Sequence, residues 1–219
     1  MELLYTDNRI VVCLKPAGVL STDEPGGMPE LLRRALGEDE TGCVRVVHRL
    51  DRPVGGVMVY ARSRMADSIL SRQVQAHTFE KDYLAVLEGI PDAPEGVLAD
   101  LLTRDAAKKQ TFVTHTPGPD ARPARLSYRV LGVKDGRALV RIRLETGRTH
   151  QIRVHLAWRS HPIVGDMIYG HKKPELGLNS QCLHAAALDF IHPRTGKPVH
   201  VECELPDYFT QALSKLEPL

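Results

Sequence analysis

Two hydrophobic patterns run along this chain, continuous apolar stretches and strict alternation, and each predicts its own kind of element. Residues 9–14 form a continuous run that reads as a short buried strand, closed by the turn Lys15-Pro16-Ala17-Gly18. Met28 to Leu36 predicts a short helix with Pro29 in its first turn, where proline is tolerated. Ser63 suits the N-cap of a helix reaching about Ala76, and Met65, Ile69, Leu70 and Val74 give it an apolar stripe expected to face the core. Alternation then takes over. In Lys81 to Gly89, Tyr83, Ala85 and Leu87 share one face, and Leu126–Val130 and Val140–Leu144 alternate clearly. The stretch 103–123, with its loop Pro117-Gly118-Pro119-Asp120, reads as the least regular part. Thr146-Gly147 is a turn, and Thr149 is expected to cap a helix running through Trp158. Leu183–Ile191 and Val199–Leu205 read as paired strands around the turn 193–197, and Asp207 as the cap of a last short helix. Many strands with few helices predict an α+β fold with a mixed, mainly antiparallel sheet.

The length, 219 residues, suits one large domain or two halves sharing a sheet. No apolar run reaches the length of a membrane span, and the first residues lack the features of a signal peptide. A cytoplasmic protein is therefore expected, with no membrane partner and a monomer as the plain default. Cys13, Cys43, Cys182 and Cys203 are scattered, and in the cytoplasm they are expected to be reduced and packed. His150 and His155 stand on different helical faces with no cysteine pair nearby, so no metal site is expected.

Net charge is only +2, but its distribution is uneven. Arg45, Arg49, Arg52, Arg62 and Arg64 crowd around Asp51, and Arg137, Arg141, Arg143, Arg148, Arg153 and Arg159 form a second cluster. Two basic clusters in a near-neutral chain suggest a directed phosphate-binding face. A solvated mixed-charge surface is the plainer reading for Arg62, Arg64 and Arg137.

Three segments carry candidate chemistry. In Val46-Val47-His48-Arg49-Leu50-Asp51-Arg52-Pro53-Val54-Gly55-Gly56 a strand-like approach ends in an acid flanked by guanidinium groups. Nearby positive charge favours the ionised carboxylate, as a nucleophile needs, although Asp beside Arg is more often a loop ion pair. Tyr83 stands on its strand, where a tyrosine either packs or stacks on a base and moves a proton. In Glu145 to Leu156 a strand gives way to a helix amid Arg148, His150, Gln151 and Arg153, a density of donors hard to explain by packing.

These segments resemble the RluA-type pseudouridine synthases, enzymes that isomerise uridine in ribosomal or transfer RNA. The matching motifs are HRLD at 48–51, KDYLAVLEG at 81–89, TGRTHQIRVHL at 146–156, HPIVGDMIYG at 161–170 and LHAAALDFIHPRTGKP at 183–198, after YTDNRIVVCLKPAGVL at 5–20. They follow the family's order and cover nearly the whole chain. The resemblance implies a curved mixed sheet with helices outside and a central cleft, no metal and no organic cofactor, and one catalytic domain over 1–219 without an N-terminal S4-type module. It implies that Asp51 is the catalytic aspartate, and that Arg49 helps push the target nucleotide from its stack. Tyr83 would stack on the uracil and take the late proton, and Arg153 would pair with Asp51. Arg148, His150 and Gln151 would line a phosphate-binding floor. His48 and Arg52, beside the aspartate, complete the expected RNA-contacting set. Where the family commonly has Thr-Ser-Gly after HRLD and two spacers, this chain has Val54, Gly55 and Gly56.

Asp51 could attack C1′, abstract a neighbouring ribose proton or add to the ring; the residues do not choose. Reaching the nucleoside requires base flipping. The alternative is an RNA-binding or RNA-folding protein of the same fold whose catalysis is weak or lost, and the Val-Gly-Gly departure is its one support. A glycosidic hydrolase ranks last, because no second carboxylate is marked to activate water.

Overall fold

In this computed structural model the described residues are 1–170, 181–206, 209 and the strand pair 217–218. The expected helix at Asp207 lies outside them. Two compact units divide the chain: Met1–Lys81 with His184–Glu204, and Asp82–Leu183 with Leu205–Leu219.

The first unit is built on β1 (Glu2–Thr6), β2 (Ile10–Lys15), β3 (Arg45–Val46), β4 (Gly55–Ala61), β10 (Leu183–Ile191) and β11 (Pro198–Glu202). β2 pairs antiparallel with β1 and β4, and β11 runs antiparallel to β10. β4 and β10 pair in parallel, with His184 opposite Gly55 and Ala185 opposite Gly56. All seven residues of β4 are buried, as befits a strand covered on both faces. α1 (Met28–Ala35) carries proline in its first turn. α2 (Arg64–Gln75) opens on Ser63, whose hydroxyl accepts the Ala66 N–H. α2 lays Ala66 and Leu70 on Ile10, Val12, Val57, Val59, Leu188 and Phe190. Burying a side chain such as Leu70 contributes about 1.5–3 kcal/mol. The expected stripe is corrected at one position, since Met65 is 55% exposed and Ala66 takes its place in the core.

The second unit holds β5 (Glu80–Glu88, entering from the first), β6 (Glu95–Asp105), β7 (Gln110–Thr114), β8 (Arg122–Lys134) and β9 (Arg137–Leu144). They pair antiparallel in the order β5-β9-β8-β6-β7, and β12 (Glu217–Pro218) joins β8. α3 (Gln151–Trp158) sets Val154 against Leu102 of β6 and Ala124 of β8. The stretch 103–123, expected to be irregular, is a regular hairpin over 103–114, β6 with β7, while 115–121, with the expected loop at 117–120, lies outside any strand. The β-branched and aromatic run Thr111-Phe112-Val113-Thr114 gives β7 its strand character. β8 and β9 meet at Asp135-Gly136, both at positive φ, the tight hairpin turn that an Asp-Gly pair favours.

The fold is α+β with a mixed, mostly antiparallel sheet, as expected. The four cysteines are free, but Cys43 is exposed, so the expectation of packing holds only for the others. Among the described residues no helix is long and apolar enough to cross a membrane, and no group of three or more His, Cys, Asp or Glu is arranged to hold a metal ion.

Candidate active site

Asp51 sits in the loop between β3 and β4, and the backbone of that loop is pinned from three sides. The Ser21 hydroxyl donates to the Leu50 carbonyl at 3.0 Å. The Val54 N–H closes a turn on the Asp51 carbonyl at 3.0 Å. The Arg52 carbonyl accepts the Gly18 N–H at 2.8 Å, and Arg52 returns the contact by donating Nε–H to the Gly18 carbonyl at 2.8 Å.

Lys15, at the end of β2, ties this loop to the turn that follows the strand. Its ammonium donates to the carbonyls of Pro16, Val19 and Arg52 at 3.0, 2.6 and 3.2 Å, and the residue is only 1% exposed. Burial lowers its pKa to about 8, and the Asp51 charge opposes that shift. Lys15, expected to be a turn residue, is thus a structural anchor that a turn pattern alone does not reveal. An apolar strand ending in a lysine ahead of Pro and Gly was the available signal.

The other expected residues of this loop divide. Arg49 is exposed and has no ion pair among the described residues. His48 is buried: its Nε2 accepts the Val59 N–H at 3.2 Å, and its ring lies 5.2 Å from that of Phe79. Burial, with Lys81 nearby, pushes its pKa down to about 3, so the ring is neutral and anchors the loop to β4. Arg45 and Arg62 are neutralised by Asp67 and Glu38.

The Val-Gly-Gly departure has a local cause at two positions. Val54 belongs to the core. Gly56 has φ +128°, and a Cβ there would overlap the Ala185 carbonyl oxygen and lie 2.6 Å from its nitrogen. The parallel pairing of β4 with β10 therefore admits only glycine at that position.

In the second unit, Tyr83 is buried on β5 opposite Ile142 of β9. Its neighbour Asp82 accepts Arg143 through both oxygens, Nε at 2.7 Å and Nη2 at 3.0 Å, and Arg141 Nε at 2.9 Å. Burial alone would raise the Asp82 pKa, but the two guanidinium groups hold it below the usual carboxylate range.

β9 leads into α3 through a turn held by Gln151. Its Oε1 accepts from the Thr146 hydroxyl at 2.8 Å and the Arg148 N–H at 3.0 Å, and its Nε2 donates to the Arg125 carbonyl at 3.0 Å. The helix starts one residue later than expected. His150, not Thr149, is the N-cap residue; it is left-handed at φ 55° and ψ 21° and makes no side-chain cap. Such a conformation costs about 1–3 kcal/mol in a non-glycine residue and persists only where its surroundings hold it.

Those surroundings are Tyr169 and Asp166. The Tyr169 hydroxyl accepts the Thr111 N–H at 2.7 Å and shares a second hydrogen bond with His150 Nδ1 at 2.9 Å. Arg153 stands over the Tyr169 ring, 5.0 Å from its centre. Asp166 takes Arg153 in a buried fork, Nε at 2.7 Å and Nη2 at 2.8 Å. The same carboxylate accepts the N–H groups of Ile168 and Tyr169 at 2.9 and 3.1 Å. Burial pushes the Asp166 pKa up, yet Arg153 and these N–H groups bring it below its ordinary value. Asp166 and Tyr169 lie in the quoted segment HPIVGDMIYG, but nothing in their spacing tied them to Arg153.

The second basic cluster is mostly self-neutralised. Arg137, Arg141, Arg143, Arg153 and Arg159 pair with Glu88, Asp82, Asp166 and Asp100. Arg148 alone of the six has no carboxylate among the described residues; it is exposed and donates Nε–H to the Pro123 carbonyl at 3.1 Å.

Comparison with known proteins adds independent findings. The family model described as RNA pseudouridylate synthase matches residues 9–158. The uncharacterized RNA pseudouridine synthase YhcT of Bacillus subtilis is 34% identical over 211 residues, covering 94% of this chain and 69% of that protein. Ribosomal large subunit pseudouridine synthase D of Zymomonas mobilis is 32% identical over 222 residues, with 94% and 69% covered. Among solved structures, human RNA pseudouridylate synthase domain containing 4 superposes with a TM-score of 0.82 at 24% identity, covering 99% of this chain and 94% of that one. Human RNA pseudouridylate synthase domain containing 1 gives 0.80 at 23% identity, covering 100% and 88%. At these identities the structures speak to fold alone.

Proposed function

The chain belongs to the RNA pseudouridylate synthase family, and on that premise we propose that Asp51 is the carboxylate through which this pseudouridine synthase isomerises uridine in RNA. The observation that carries the proposal is the pinned loop. Lys15, Gly18, Ser21 and Val54 hold the carbonyls of residues 50–52, so the Asp51 side chain projects from a backbone that cannot drift. Catalysis by a positioned carboxylate requires that rigidity.

In this reading Arg153 is the catalytic arginine that the family resemblance implies, and Asp166 fixes its guanidinium. Tyr83 stacks on the extruded uracil and takes the late proton. Arg49, exposed and without a counter-charge among the described residues, helps displace the nucleotide from its stack, a step costing a few kcal/mol. Arg148 and His150 meet phosphate oxygens. Gln151, His48 and Arg52 support the two turns from which these groups project. The whole chain acts as one catalytic domain, a monomer in the cytoplasm needing neither metal nor cofactor. Its substrate is ribosomal RNA, the class to which the name of the Zymomonas relative points.

Asp51→Asn tests the assignment. It is expected to abolish pseudouridine formation and to leave RNA affinity unchanged, since the amide keeps the loop's shape. Full turnover in that variant refutes the role given to Asp51. Mapping pseudouridines in the RNA of a strain lacking the gene, against its parent, identifies the site; a lost modification in transfer RNA instead would redirect the substrate.

A further inference from the structure

The second unit has ten arginines, and seven of them are paired with carboxylates: Arg125, Arg129, Arg137, Arg141, Arg143, Arg153 and Arg159. Arg104, Arg122 and Arg148 have no carboxylate partner among the described residues, and all three are exposed. The strand register brings these three to one region. Leu102 of β6 lies opposite Val113 of β7 and opposite Arg122 of β8. Directly paired residues share a face of a sheet, as do residues two apart on one strand. Leu102 and Ala124 pack on Val154, so that face is the one α3 covers. Arg122, opposite Leu102, and Arg104, two residues beyond it, project from the same face. Arg104 and Arg122 are diagonal neighbours, about 7–8 Å apart at their Cα atoms. Arg148 reaches the neighbouring Pro123 carbonyl from the start of α3. Thr111, opposite Arg104, is the residue whose N–H meets the Tyr169 hydroxyl beside His150.

Elsewhere in this unit the fold supplies a carboxylate for each guanidinium. Three uncompensated ones on one face repel each other and gain only when an anion arrives. We propose that Arg104, Arg122 and Arg148 form a phosphate-binding track on the α3 face of β6–β8, which grips the RNA backbone flanking the target uridine. Each guanidinium presents a fork that matches two phosphate oxygens. The contacts carry affinity and register rather than base identity. The track rests on the reading of the chain as an RNA-modifying enzyme, and adds Arg104 and Arg122 to the residues that reading uses.

Salt dependence of binding tests it on the full chain, with a fluorescein-labelled single-stranded RNA oligonucleotide of mixed sequence titrated at several KCl concentrations. Each neutralised phosphate contributes about 0.7–0.9 to the slope of log K against log salt. Arg104→Ala and Arg122→Ala are each expected to flatten the slope by about that amount, and the triple variant with Arg148→Ala by about 2–3. Arg129→Ala, which removes an exposed arginine already paired with Glu95, should leave the slope alone. A triple variant with the wild-type slope overturns the track, as does an Arg129→Ala slope as flat as the Arg104→Ala one. Pseudouridine formation by the wild type on total ribosomal RNA is measured alongside. Turnover with an unmoved slope removes the track and spares the enzyme; no turnover with slopes that flatten as expected removes the enzyme and spares the track.

Discussion

Single residues decide how firmly Asp51 is held, and Lys15 is the least replaceable of them. Its ammonium donates to three part-buried carbonyls, one of them the Arg52 carbonyl next to Asp51, which also accepts the Gly18 N–H. Lys15→Met keeps the volume and removes every donor. It should lower stability by about 1–3 kcal/mol, the cost of leaving acceptors sheltered from water without that donor. It should also reduce turnover by more than it weakens RNA binding, because the loop is freed while the phosphate contacts elsewhere remain. Chemical denaturation and single-turnover kinetics measure the two effects; loss of stability with turnover intact would detach Lys15 from Asp51. Asp51, Tyr83 and Arg153 were legible as candidates because each lies in a compact local motif. Lys15, Asp166 and Tyr169 were not, because their significance arises from partners far along the chain. A lysine ending a strand, an aspartate after glycine and a tyrosine before glycine are ordinary until Arg52, Arg153 and His150 are brought to them.

At the scale of elements, periodicity located most strands and both amphipathic helices, since hydrophobic period is local information. It failed where pairing creates the element. β1 is exposed at three of its five residues and is a strand because β2 pairs with it. β7 is short, and its register against β6 makes it regular. The start of α3 was misplaced because a threonine is the usual cap, whereas here Tyr169 and the Gln151 side chain order the turn and leave His150 in the left-handed region. The pairing of β4 with β10 is the element-scale feature on which the Asp51 loop depends, since β4 begins just after it. Gly56→Ala forces a Cβ into Ala185 at positive φ, and should cost about 3 kcal/mol or more, overpacking and backbone strain together. Gly118→Ala, in an open loop with nothing within 4 Å, should cost almost nothing. Urea midpoints of the two variants against wild type measure the contrast; equal midpoints would mean that the two strands separate readily at this point.

For the molecule as a whole, the unusual quantity is the number of neutral histidines kept from water. Burial depresses the pKa of His48 to about 3 and those of His155 and His184 to about 4, and these residues are spread over both units. The unfolded chain takes up these protons near pH 6.5, its ordinary value. Between about 6.5 and 4 the unfolded state therefore binds more protons than the native one, so stability falls as pH falls, and the contribution is fully present only above about 6.5. With all three residues involved the slope reaches up to about 4 kcal/mol per pH unit near pH 5.5. Asp82 and Asp166 extend the same trend to lower pH: their folded pKa values are depressed, so their contribution is present above the ordinary carboxylate value and is lost as pH falls through the folded one. Urea unfolding at pH 7, 6 and 5 should show a steep decline already under way at pH 6, well above the carboxylate range. A free energy that stays level from pH 7 to 5 would mean that these rings are protonated or hydrated in the native state. His48 would then no longer be the neutral acceptor that ties the Asp51 loop to β4, and the loop's rigidity would rest on Lys15, Gly18, Ser21 and Val54.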